Sequence, residues 1–195
     1  SINSNNITVK NSNLSYATVG VEFWKTSNSK IINNTVSNNW YDGIYLRDYS
    51  RNNTIANNIV LNNYFGITLR YYSSNNTIAN NTVSNNCVGI YLEDSSNNTI
   101  ANNTASLNYE GGIGLGYSSK NTIANNTVSN NEFGIDLWYS SKNTIANNTV
   151  SNNDDGILLW YSSNNKIYLN NFIKNGNQVY FYSSTNIWNS TKQIT

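Results

Sequence analysis

The sequence predicts an all-β solenoid: a single-stranded parallel β-helix of about eight coils, with three short strands in each coil. Three observations carry that reading. A unit of 22–24 residues recurs from one end of the 195-residue chain to the other. Each unit places apolar side chains at the same offsets. The residues between them are Asn, Ser and Gly clusters of the kind that punctuate strands, and no segment shows a helical 3.6-residue period.

The isoleucine of N-T-I fixes the register. Its equivalents are Val9, Ile31, Ile55, Ile78, Ile100, Ile123, Ile145 and Ile167. Five residues later comes a second apolar column: Leu14, Val36, Val60, Val83, Ala105, Val128, Val150 and Phe172. A glycine follows in seven coils, from Gly20 to Gly156, with Gln178 in its place in the eighth. The Gly-Ile-x-Leu segment after it alternates, so Ile and Leu face the interior and x faces out. One unit has too few apolar side chains to bury alone, whereas stacked units form continuous columns. At a strand spacing of ~4.8 Å, eight coils make a rod of roughly 40 Å.

Composition fits this frame. Asn tolerates the left-handed conformation that tight turns need, and it can hydrogen-bond along a stack of identical neighbours. Proline is absent, as expected of backbones that donate to a ladder on both sides. The unbroken repeat makes 1–195 one domain, with irregular coils in 1–51, regular repeats in 52–163, and a larger-residue terminal coil and tail in 164–195. Within that tail, Trp188 is expected to fold over the final coil. Charged residues make up 11% of the chain and the net charge is +1, so no nucleic-acid partner is expected. No apolar run approaches the ~20 residues of a transmembrane segment. The single cysteine, Cys87, rules out an intrachain disulfide and reads as a small turn residue.

The pattern N-N-T-I-A-N-N-T-V-S-N-N-x-x-G-I-x-L, seen in Asn75–Leu92 and, without its first Asn, in Asn121–Leu137 and Asn143–Leu159, resembles the NosD-like and carbohydrate-binding/sugar-hydrolysis (CASH) group of β-helix proteins. The resemblance covers nearly all of the chain. It implies a right-handed coil and an association with copper delivery. A copper site wants imidazole, thiolate or thioether ligands, and the chain has no His, no Met and one Cys, so neither copper nor any other cofactor is expected. The same shortage excludes a Ser-His-Asp triad and a zinc site.

Two features invite a functional reading. Glu110, Glu132 and Asp154 fall two residues before the repeat glycine on successive coils, with Asp155 beside the last. The plain reading is a solvated turn in which each acid splays away. The alternatives are Ca²⁺ bound by stacked oxygens, or a carboxylate pair acting on sugars at a separation of roughly 5 Å. The second feature is an aromatic face in the C-terminal half, where Trp138, Trp160 and Tyr182 stack beside Tyr139 and Tyr161, with Tyr180 nearby. Such a face suits a subunit contact or a glycan platform, or it serves stability alone. Arg70 and Glu93 are in register and are expected to pair. The basic residues Arg47 and Arg70 sit two or more coils from Glu110, which counts against a composite active site.

Several N-glycosylation sequons occur, and Asn80, Asn102, Asn125 and Asn147 share one column, too close for every glycan to fit. Most are by-products of the Asn-Asn-Thr turn, whose side chains bond each other, and Asn6 and Asn189 are the better acceptors. Neither end shows a recognisable cap, so the rods are expected to meet copies of themselves, end to end or laterally. The expectation is therefore a non-enzymatic, extracellular or cell-surface structural protein that self-associates into a layer, sheath or filament. The alternative is a carbohydrate-binding or polysaccharide-processing β-helix, with surface glycans as partners.

Overall fold

The computed structural model describes residues 1–188, and within them the chain winds into three parallel sheets of eight strands each. Each coil contributes one strand to every sheet: N-T-I-A to the first, T-V-S to the second and G-I-x-L-x to the third. In coil six these are Thr122–Ala124, Thr127–Ser129 and Phe133–Trp138. Residues one repeat apart become neighbours, with Ile123 opposite Ile145, Val128 opposite Val150, and Ile135 opposite Ile157. The fold is a parallel β-helix. No helix long and apolar enough to cross a membrane occurs among the described residues.

The apolar columns fill the bore. Ile31, Val36, Ile44, Leu46 and their equivalents up to Leu159 have no exposed surface and form one continuous core. Because the strands are only three to six residues long, the chain must turn three times per coil, and each turn strands backbone groups in a buried corner. Asparagine solves this with two residues doing different jobs. The first Asn of each pair takes a left-handed conformation, as at Asn80, Asn102, Asn125 and Asn147, with φ of 57°. The second Asn turns inward and is nearly fully buried.

That second Asn builds ladders along three edges of the rod. The backbone N–H and Nδ2 of Asn81 both donate to Oδ1 of Asn103, at 3.0 Å each. Asn103 repeats both bonds to Asn126, at 2.9 and 3.0 Å. Its Nδ2 also reaches back to the Ile78 carbonyl at 2.9 Å, so nothing polar at the corner is left unpaired. Parallel ladders run through Asn86, Asn108 and Asn131, and through Asn98, Asn121 and Asn143. A shorter serine ladder, Ser118 to Ser140 to Ser162, runs through the same turn as the last of these. The sequon asparagines themselves point outward. The bonds expected of them are made by the residue that follows each one.

The repeat glycine has a reason unrelated to φ, since no glycine among the described residues has a positive value. A Cβ on Gly112 would lie 2.4 Å from Val128 Cγ1 and 2.8 Å from the Gly134 carbonyl oxygen. The chain bends there so tightly against the next coil that no side chain fits.

The tail departs from expectation. Ser184 and Asn186 extend the serine and asparagine ladders, and Ile187 pairs with Lys166, so the chain starts another coil and leaves Trp188 exposed. Asn6 is exposed with φ of 59°, and Asn189 lies outside the described residues.

The two asparagines of one turn should respond unequally to mutation. Asn103→Ala leaves the Asn81 N–H and the Ile78 carbonyl unpaired in a buried corner and should destabilise the fold by about 2–4 kcal/mol. Asn102→Ala loses only the left-handed preference of an exposed residue, about 1 kcal/mol. Urea denaturation of both variants checks the ordering.

Candidate active site

The third sheet presents the broadest outward face, and coil five breaks it. In register along one outward column stand Tyr91, Gly114 and Asp136, and along the next Glu93, Gly116 and Trp138. Gly111 adds a third missing side chain at the start of the same strand, opposite Phe133. Three glycines on one coil, between bulky residues on both sides, leave a notch across the rod. It forms a cleft of about 410 Å³ walled by Phe65, Val88, Tyr91 and Phe133, with Arg70, Glu93, Glu110, Asp136 and Trp138 reaching in.

Side chains from the two flanking coils lean over the glycine floor. A Cβ on Gly114 would meet Tyr91 Cδ2 at 3.0 Å and both Asp136 carboxylate oxygens at 3.1 Å. A Cβ on Gly116 would fall 2.6 Å from the Tyr91 hydroxyl, and one on Gly111 would fall 2.9 Å from Asp136 Oδ1. The floor therefore brings the Asp136 carboxyl and the Tyr91 ring over the same spot. Interior glycines in a strand commonly mark such a close approach.

Burial sets the electrostatics. Asp136 is only 9% exposed, and desolvation pushes its carboxyl up to about 7, helped by the nearby Glu110 charge and opposed by a hydrogen bond from its own backbone. Desolvation likewise pushes the Tyr91 phenol up to about 12, with Glu93 and Asp136 adding to the effect. Tyr91 therefore stays neutral, a hydroxyl able to donate. Arg70 Nε lies 3.1 Å from Glu93 Oε2, an ion pair whose angle falls short of a hydrogen bond. The guanidinium also packs over Phe65 and Tyr91, 4.9 and 5.8 Å from their ring centres. On the coil next to Arg70, Asp42 is buried with Oδ1 unpaired, and desolvation raises it to about 6.

The expected site residues divide. Trp138 lines the cleft, and from it a stack runs away along the rod: Trp138 to Trp160 at 5.3 Å and Trp160 to Tyr182 at 4.5 Å. Beside it Tyr117, Tyr139 and Tyr161 stack at 5.2 and 5.0 Å, each with φ near 50° at the corner after the strand. Tyr180 is exposed on the Asp136 column, one coil beyond Leu158. The carboxylate row is in register but does not act as one group. Glu110 enters the cleft, whereas Glu132 and Asp154 border a separate shallow depression with Asn85 and Tyr109. Asp155 accepts a hydrogen bond from Asn177 Nδ2 at 2.7 Å. No group of three or more His, Cys, Asp or Glu that could hold a metal occurs among the described residues. Cys87 lies near Tyr64 and Glu110, and burial pushes its thiol up, with Glu110 adding to the effect.

The separation of Arg70 from Glu110 needs correction. Two coils apart in sequence, they line one cleft, which spans the glycines of coil five. Asp136 and Tyr91 are the residues that reading the sequence passes over as ordinary outward positions. The signal was available in Gly111, Gly114 and Gly116, which stand outside the repeat-glycine column.

The family of periplasmic copper-binding proteins (NosD) matches residues 5–195. The chain belongs to the NosD family. Copper does not fit this NosD-family chain, whose sequence offers no imidazole or thioether and a single thiol. No curated protein matches the sequence. Among solved structures, the periplasmic alginate epimerase AlgG is 22% identical with a TM-score of 0.71, covering 89% of this chain and 49% of its own. The A-module of mannuronan C-5 epimerase AlgE4 from Azotobacter vinelandii is 16% identical at 0.71, covering 89% and 64%. DFA-IIIase from Arthrobacter chlorophenolicus A6, solved in complex with GF2, is 16% identical at 0.77, covering 93% and 54%. The chain thus spans about half to two thirds of the length of these proteins, and at such identities the likeness is one of fold.

These comparisons overturn the expectation of a non-enzymatic structural protein built to self-associate. All three neighbours are enzymes by name, and the cleft supplies the convergent polar groups that the sequence alone did not reveal. The family description and that of AlgG both place their proteins in the periplasm, an envelope location.

Asp136 also gives the fold a pH signature. Its folded-state pKa of about 7 lies above its ordinary 3.8, so between these values the native chain holds a proton that the unfolded chain has lost. The stability is complete below that window and falls as pH rises through it, by up to about 4 kcal/mol. Asp42 adds to the fall between 3.8 and about 6. Asp136→Asn should match the parent at the acid end and exceed it above neutrality, as thermal melts across pH will show.

Proposed function

We propose that this chain carries the substrate-binding and catalytic face of a carbohydrate-processing protein of the cell envelope or cell surface, with the glycine-floored cleft as its site. The observation that carries this reading is Asp136, a carboxyl poised near neutrality at the bottom of an open cleft. A group with that pKa exchanges a proton efficiently at physiological pH. In the cleft it would protonate a glycosidic oxygen or remove a proton from the sugar. The neighbours named as alginate and mannuronan epimerases and as DFA-IIIase support a carbohydrate as the substrate.

The other groups take supporting parts. The Tyr91 hydroxyl, over the same glycines as Asp136, is placed to donate to a sugar oxygen. Arg70, held between Phe65 and Tyr91 and paired with Glu93, orients the substrate from one wall. Trp138 closes the other end with an aromatic ring suited to the apolar face of a sugar.

Turnover should be measured on a panel of polysaccharides, with the parent chain and Asp136→Asn compared at equal fold stability. The variant should lose about 10²-fold or more in kcat, and the parent's rate should break near pH 7. Equal rates for parent and variant, or no turnover and no binding of any carbohydrate by the parent, would sink the proposal.

A further inference from the structure

The cleft also carries information about which sugars enter it. We infer that it takes an uncharged sugar ring, stacked on the open face of Trp138, and selects against acidic sugars such as uronates. This rests on the carbohydrate reading above and makes it more specific.

Two independent observations lead there. The first is how the aromatic stack ends. Trp160 lies against one face of Trp138 at 5.3 Å with an interplanar angle of 28°, so that face is occupied. The rings further along are covered in the same way, Trp160 by Trp138 and Tyr182. On the other side of Trp138 the column continues to Gly116, which has no side chain. The stack therefore terminates in a bare indole face directed into the cleft, and Trp138 remains 39% exposed. The Tyr91 hydroxyl reaches into the space over Gly116 that a side chain there would fill. An apolar plate with a hydroxyl beside it matches a sugar, which has C–H groups on one face and hydroxyls around its edge.

The second observation is the charge of the walls. Among the described residues Arg70 is the single cation lining the cleft, and Glu93 already engages it. Asp42 adds a second carboxyl on its far side. Glu110 and Asp136 then stand on the remaining walls with no basic partner among the described residues. A carboxylate on the substrate would meet the Glu110 charge, joined by that of Asp136 as pH rises past neutrality, in a partly desolvated site where repulsion is poorly screened. A neutral sugar meets no such barrier, and the two free acids can accept hydrogen bonds from its hydroxyls.

The test is a binding titration of the full chain, followed by tryptophan fluorescence and calorimetry. The ligands are neutral oligosaccharides (gluco-, fructo- and manno-configured) and uronate oligosaccharides of matched length (mannuronate and galacturonate). The expected result is a neutral ligand that binds about tenfold or more tightly than any uronate. Trp138→Ala should weaken that ligand by about tenfold or more, whereas Trp188→Ala, on an exposed residue at the far end of the rod, should leave it unchanged. Glu110→Gln should raise uronate affinity several-fold without improving the neutral ligand. Tighter binding of uronates, weakened by salt, would overturn the inference and leave the carbohydrate reading standing. Trp138→Ala without effect on the neutral ligand would overturn it as well. If neither class binds, both fail together.

Discussion

The structure depends on satisfying backbone polar groups at three tight corners per coil, and inward-facing asparagine does this. A parallel β-helix with short strands turns often, and each turn leaves N–H and C=O groups facing neither sheet nor solvent. Asn has the right reach and one group of each kind, so a single side chain accepts from the coil before and donates to the coils on both sides. A shorter hydroxyl serves at one corner only. Apolar columns alone would give a bore with unsatisfied edges, and each such edge would cost more than a buried methylene returns. The core and the ladders therefore have to share one register, which explains why the two repeat with the same period.

That requirement also governs where variation is tolerated. Inward positions and corners are tied to their equivalents above and below, and the repeat glycine is fixed by the closeness of the next coil. Only the outward columns are free to change, and the site is built there. Coil five keeps Ile113 and Leu115 inside and its ladder asparagines intact, yet replaces three outward residues with glycine. The neighbouring coils supply the acid, the phenol and the indole. The scaffold holds the cleft rigid without contributing to its chemistry, as expected when function resides in a site grafted on a fold.

Much of this was legible in the sequence and some was not. The apolar columns, the asparagine stacking and the Arg70–Glu93 pair follow from counting offsets, because each depends only on register. The aromatic stack from Trp138 to Tyr182 was legible for the same reason. Asp136 was not, because alternation marks it as outward and therefore wet. Its burial comes from residues one and two coils away that close over a floor of glycines. Glu110 and Arg70 line one cleft although two coils separate them, which coil number alone does not show. Gly114 and Gly116 were visible all along, but a missing side chain gains meaning only when its neighbours are known to crowd it.

One feature of the asparagine ladders reaches beyond stability. In every ladder the amide nitrogen points toward the later coil and the carbonyl oxygen toward the earlier one, from Asn34 and Asn58 through Asn148 and Asn170. The strands run across the rod, and their own dipoles largely cancel. The side-chain amides add in rows along three edges, each polarising the next. A molecule with almost no net charge thus has an electrical direction along its length, oriented by uncharged groups hidden from solvent.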